Sequence, residues 1–218
     1  MKREIKEYPI LFSTPMVQAI LEGRKTQTRR VVKFPLKCKT HHLSINDSDT
    51  PPPTEWNPYG QSGDVLWVKE TFFAYGYWFR ENKESRFEFR DITLDPILGV
   101  GAYNYMDSMP RIVLKRNPGS LGWYKRPSIF MPKAACRISL RITNVRVERL
   151  KDISEQDAKD EGAGKWKEFA TFPELNKTIE HETHAAGFTK LWASINGEQS
   201  WNDNPWVWVI EFERVEKM

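Results

Sequence analysis

Several features are missing from this chain of 218 residues, and each absence excludes something. No run of about 18 apolar residues occurs, so no membrane-spanning helix is expected. The opening stretch, MKREIKEYPI, lacks the apolar segment of a signal peptide. Cysteine is scarce: Cys38 and Cys136 are the only two, and they form no CxxC. A disulfide framework is therefore not expected, and a cytoplasmic location is the default. GxGxxG, GxxxxGK[ST] and GxSxG are all absent, which leaves phosphate-loop and α/β-hydrolase readings without a basis. Four histidines remain. His41 and His42 are adjacent in a polar loop, while His181 and His184 share a helix face only if one helix covers both. No cysteine or carboxylate pattern completes a tetrahedral set, so neither a metal nor a cofactor is expected. No internal repeat and no linker between two cores is visible.

What is present is a soluble, globular composition, 39% hydrophobic and 28% charged. Nine tryptophans and twelve phenylalanines supply much of the core. The net charge of +4 and a pI near 9.0 tilt the partner toward an anion such as RNA, a nucleotide or DNA.

Residues 14–23, TPMVQAILEG, predict a short helix. Thr14 fits the N-cap, Pro15 the first helical position, Met16, Ala19 and Ile20 one apolar face, and Gly23 the left-handed end. RKTQTRRVV follows as a strand. Residues 34–62, with three consecutive prolines, read as irregular loop. GDVLWVKETFF predicts one strand entered by a Gly-Asp turn. Residues 73–126 read as an insertion, a hairpin with long loops. RISLRITNVRVER, 137–149, is the clearest strand. Its apolar parity jumps after Ile142, so a bulge or bend is expected near Asn144. In ISEQDAKDEGA, Ser154 and Asp157 fit a capping box and Gly162 a helix end, giving a helix from about Glu155 to Glu161. Residues 182–195 predict a helix with Phe188, Leu191, Trp192 and Ile195 inward. WVWVIEFERV is apolar on both faces at its start, which predicts a central strand.

The run Arg24, Lys25, Thr26, Thr28, Arg29, Arg30 allows three readings. Its charges can face water on an edge strand. They can contact phosphates. Or Lys25 with Thr28 can carry base or covalent chemistry. The third reading sets two physical conditions. Free lysine, with a pKa near ~10.4, is neutral in only about one molecule in 2,500 at pH 7, so burial or neighbouring cations must lower it. In a straight strand residues 25 and 28 face opposite ways, so the chain must turn near Lys25. Glu161, at a helix C-terminus, is unfavourably placed for a negative charge, which weakly favours a functional reason for it. Trp67, Trp123, Tyr124 and Phe130 are open either to base stacking or to core packing.

AILEGRKTQTRR, GDVLWV, ISEQDAKDEG and the terminal WVWVIEFERV, in this order, resemble the ASCH domain, a relative of the PUA RNA-binding domain. The wider chain looks like ASCH proteins carried by phages and prophages. The resemblance covers roughly 8–33, 60–72, 127–164 and 186–215. It implies an α+β fold: a single domain built on a PUA-like small mixed β-barrel with flanking short helices, carrying 73–126 as an insertion. Some small ASCH proteins are N4-acetylcytidine amidohydrolases, and others are linked to RNA binding or ribonuclease activity. The resemblance places Lys25 and Thr28 at the K-x-x-T positions and Glu161 at the glutamate position. It implies amide hydrolysis at a nucleobase exocyclic nitrogen, with Thr28 attacking and Lys25 taking its proton, or with Glu161 activating water. Arg24, Thr26, Arg29 and Trp67 are the expected substrate contacts. The implied partner is a nucleoside or modified base, with RNA as the alternative.

Overall fold

The computed structural model describes residues 3–37, 44–45, 49–172 and 177–216. Cys38, His41 and His42 lie outside them. In chain order the elements are β1 (Glu7–Leu11), α1 (Thr14–Leu21), β2 (Gln27–Val31), β3 (Leu36–Lys37), β4 (Ser44–Ile45), β5 (Val65–Lys69) and β6 (Phe72–Phe79). Then come β7 (Glu88–Asp91), β8 (Asn104–Tyr105), β9 (Gly122–Arg126), β10 (Ser139–Arg149) and α2 (Glu155–Asp160). The chain closes with β11 (Trp166–Phe172), β12 (Lys177–Thr183), α3 (His184–Asn196), α4 (Glu198–Asn202) and β13 (Trp206–Val215). The fold is mixed α+β, mostly strands with few helices. No helix among the described residues is long and apolar enough to cross a membrane.

One sheet has the order β1-β5-β10-β13-β2. β13 is interior, as its doubly apolar start predicts, with Val207, Trp208, Val209 and Ile210 all buried. A barrel requires the outer strands to pair. Here β1 pairs only with β5 and β2 only with β13 among the described residues, so the expected small barrel is not closed.

The chain divides into two compact units. The first consists of Met1–Tyr8, Gln18–Leu66 and Leu140–Glu216. Its core gathers Leu150, Ala158, Phe188, Trp192, Val207 and Val209. Ser154 caps α2, accepting the Asp157 N–H at 3.0 Å, as its sequence predicts. β10 runs as one strand through Asn144, where a bulge or bend was expected, with Thr143 and Asn144 both exposed and the residues after them half-buried. α3 begins two residues later than expected, with Thr183 as its cap. Phe188 and Trp192 are buried, whereas Ile195 is 52% exposed, because the buried stripe through Ala185, Phe188 and Trp192 stops before the last turn. The strands β11 and β12 pair antiparallel, in a region where the sequence pattern shows no strand. That pairing takes His181 into β12, so His181 and His184 sit on different elements.

The second unit consists mainly of Pro9–Val17 and Trp67–Ser139. Within it β7, β8 and β9 all pair with β6, giving a four-stranded sheet where a hairpin with loops was expected. GDVLWVKETFF is two strands, not one. The chain breaks at Glu70, whose buried carboxylate receives Arg137 Nε and Nη2 at 2.8 and 2.9 Å. The cap of α1 also shifts by one residue: Val17 N–H donates to the Ser13 carbonyl, so Ser13 rather than Thr14 precedes the first turn.

Candidate active site

Two helix ends build the site, and both use glycine. At the end of α1, Gly23 has φ +73°. Its N–H donates to the Ile20 carbonyl at 3.1 Å, and the Arg24 N–H donates to Ala19 at 2.9 Å. This is the paired closure of a left-handed glycine cap. The Lys25 N–H also reaches the Ala19 carbonyl, at 3.1 Å, so the chain folds back on the helix end before β2 starts. The chain does turn near Lys25, but Lys25, Gln27 and Arg29 all reach α2 from the same side, so the turn does not bring Thr28 beside Lys25. α2 ends in the same way, with Gly162 at φ +79°, Gly162 N–H on Lys159 at 2.8 Å and Ala163 N–H on Ala158 at 3.2 Å.

The two ends are joined by an antiparallel bridge between Lys25 and Glu161, and by Thr26 N–H donating to the Asp160 carbonyl at 2.8 Å. A Cβ at Gly162 would lie 3.2 Å from the Cβ atoms of both Ala19 and Lys25. Glycine is required there for its backbone conformation and also for the close approach.

This bridge buries the Lys25 side chain completely. Its Nζ donates to the Glu161 carbonyl at 2.9 Å and to Glu161 Oε2 at 2.7 Å. One ammonium thus satisfies both the carbonyl and the carboxylate of a residue at the negative end of a helix. The other carboxylate oxygen, Oε1, has Arg29 Nη1 at 3.4 Å. Arg29 is also fully buried, with Nη2 at 3.0 Å from Glu148 Oε2 and 3.3 Å from Asp157 Oδ2. Phe188 lies under its guanidinium at 5.8 Å. Arg29 Nε is buried without an acceptor among the described residues. Gln27 Nε2 ties β2 to α2 through the Asp157 carbonyl at 3.0 Å. Arg146 extends the network to Glu148, Asp157 and Glu211.

Burial is the main force on Lys25 and lowers its proton affinity. Glu161 opposes this, and Arg30 and Arg29 reinforce it, leaving the lysine below its ordinary value. The condition of a depressed lysine is met in direction. Asp157 behaves oppositely: burial would raise it, but the Ser154 hydroxyl, Arg146 and Arg29 hold it down at about 2. Arg30 is lowered by burial, against the pull of Tyr59 and Glu161.

The structure therefore brings Lys25, Glu161 and Arg29 together. Thr28 is buried one residue before Arg29 and faces Ile210 across the strand pair. Alternation along β2 puts it with Arg30, on the face opposite Gln27 and Arg29. No hydrogen bond joins its hydroxyl to Lys25 or Glu161. Arg24 is exposed and paired with Glu22, Nε to Oε2 at 2.8 Å. Thr26 exposes its side chain and contributes backbone, receiving Phe212 N–H at 2.8 Å. Trp67 belongs to the second unit, half-buried, with Lys69 Nζ 5.5 Å from its ring centroid.

Sequence reasoning missed Gln27, Glu148, Asp157 as a partner of Arg29, and Arg146. The signal was the charged alternation in VRVER beside the acidic helix. Together the groups form a dry site with a lysine of lowered proton affinity, a carboxylate in contact with it and an arginine anchoring that carboxylate. Such a set can accept a proton, pass it on and stabilise a developing negative charge. Comparison of the chain with protein-family models, with curated proteins and with solved structures returns no match.

Proposed function

We propose that this chain is an ASCH-type, PUA-related amidohydrolase that removes an acyl group from the exocyclic N4 of a cytidine-type nucleoside. The observation that carries the reading is the complete burial of Lys25 against Glu161, with the proton affinity of the lysine lowered. An exposed basic strand would have neither property. In one route the Thr28 hydroxyl attacks the acyl carbonyl and Lys25 Nζ takes its proton, which requires Thr28 to move from the opposite face of β2 to within reach of Lys25. The C–N bond then breaks, the base amine leaves with a proton relayed by Glu161, and water releases the acyl group as a carboxylic acid. In the other, Glu161 takes a proton from water as it attacks the carbonyl; the C–N bond then breaks, Glu161 returns that proton to the leaving base amine, and the acyl group departs as a carboxylic acid. That route needs only the Lys25–Glu161 contact, which is already made. Neither requires a metal or a cofactor.

An RNA-binding role for the same turn is less well supported. It would use the four cations of the run on phosphates, yet Lys25 and Arg29 are fully buried and ion-paired.

The test is conversion of N4-acetylcytidine to cytidine by the purified protein, with Lys25→Ala, Thr28→Ala and Arg24→Ala alongside. Activity should vanish in Lys25→Ala and persist in Arg24→Ala. Loss in Thr28→Ala would assign the covalent route, and survival would assign direct attack by water. No turnover by the folded wild-type protein would remove this substrate class.

A further inference from the structure

The second unit carries a ladder of arginines stacked on aromatic rings. Arg126 Cζ lies 4.4 Å from the ring centroid of Phe89, 4.8 Å from Trp78 and 5.0 Å from Phe130. Arg116 lies 4.6 Å from Trp78 and 5.2 Å from Phe87, and Arg80 lies 4.9 Å from Phe87. Trp78 is itself held edge-on by Phe89 at 5.3 Å and by Tyr124 at 6.4 Å. Stacking uses the faces of a guanidinium and leaves its N–H edges free to grip an anion.

Those edges are unspent. Among the described residues neither Arg116 nor Arg126 has an ion pair or a side-chain hydrogen bond. Burial lowers the proton affinity of Arg126 and Asp91 works against that. Both oxygens of Asp91 are nevertheless committed, Oδ1 to the N–H and hydroxyl of Thr93 and Oδ2 to the Tyr103 hydroxyl. A half-buried cation held flat without an acid costs stability unless something anionic meets it. Trp78 adds a second unmet group: its Nε1 is buried and has no acceptor among the described residues. A cavity of about 720 Å³ is lined by Trp78, Phe87 and Arg80 together with Tyr77, Phe79 and Leu98; Arg116 and Arg126 do not line it but stack on Trp78, which does. That volume falls within the range of small-ligand sites, and the wall is mostly apolar with four aromatic rings in it.

We propose that the second unit binds a phosphorylated nucleoside, with its ring in the aromatic cavity and its phosphate on Arg116 and Arg126. A planar ring suits the walls, and a phosphate suits two guanidiniums presented edge-on. The site shares no residue with the Lys25 site and does not rest on the hydrolysis proposed for it.

Calorimetric titration of the full chain with AMP and CMP tests this, with adenosine, cytidine and inorganic phosphate as controls. Wild type and Lys25→Ala should bind a nucleotide equally, with the unphosphorylated nucleosides and phosphate alone weaker. Arg116→Gln and Arg126→Gln should each weaken binding by about tenfold or more, and Arg126→Lys by less. Arg116 is exposed, so its variant remains informative if Arg126→Gln fails to fold. The proposal is overturned if no nucleotide binds, or if binding survives Arg116→Gln. It is equally overturned if phosphate alone binds as tightly as a nucleotide, or if only a single-stranded oligonucleotide binds.

Discussion

Replacing Lys25 by methionine keeps the length of the side chain and removes its charge. What remains among the described residues is the Glu161 carboxylate, 4% exposed, with the long 3.4 Å contact from Arg29 and the charge of Arg30 acting on it. Removing one partner of a buried ion pair strands the other, and the cost is about 3–5 kcal/mol. In a domain of this size each kcal/mol shifts the melting temperature by about 2–4 °C, so a fall of about 6–20 °C is expected. A second change, Glu161→Gln, removes the stranded charge and leaves an oxygen for Arg29. The double variant Lys25→Met/Glu161→Gln should therefore recover most of the loss, although each single change is harmful. The assay is thermal and urea unfolding of all four proteins, combined as a double-mutant cycle. The reasoning fails if Lys25→Met costs less than about 1 kcal/mol, or if the second change adds to the damage instead of relieving it.

Two further outcomes follow from the same geometry. Alanine at either helix-ending glycine should cost about 1–2 kcal/mol for the left-handed backbone. Gly162→Ala should cost more than Gly23→Ala and should also reduce N4-acetylcytidine hydrolysis, because its Cβ meets Ala19 and Lys25 at 3.2 Å whereas nothing lies within 4 Å of the other; equal losses would contradict this. Asp157, held at about 2 in the fold against an ordinary 3.8, stabilises the protein above pH 3.8 and loses that contribution as the pH falls toward 2. Asp157→Asn should lack this component of acid unfolding, which a pH series of melting curves would show.

Local devices were legible in the sequence and distant ones were not. Ser154, Asp157 and Gly162 announce α2 because a cap is written within nine residues. The central place of β13 followed from two apolar faces. The partners of Arg29 could not be read in this way, since Glu148 lies 119 residues away and meets it only through the register of the sheet. Lys25 and Glu161 were paired beforehand only through a family resemblance. The four-stranded sheet was hidden for a different reason. Its strands contain Gly76 and Gly122, residues of low strand propensity, and a Cβ at Gly76 would lie 2.1 Å from the Arg90 carbonyl. Close backbone packing demands glycine where a sequence reader expects a loop. Ile195 misled in the opposite sense, since helical spacing says nothing about where the neighbouring elements stop.

The strand that carries Arg29 has a consequence for how the protein is made. Among the described residues β2 takes its sheet hydrogen bonds from β13, at the far end of the sequence. Lys25 is synthesised 136 residues before Glu161, and the strand that must hold them in register emerges later still. For most of translation the lysine is an ordinary hydrated cation with ordinary basicity. The dry lysine of lowered proton affinity belongs to the fold in which β13 is paired with β2. A product broken off before Trp206 contains both Lys25 and Glu161, yet lacks the β-strand that brings them out of water. The burial of Lys25 against Glu161 therefore waits until β13, the last strand of that sheet in chain order, has been made.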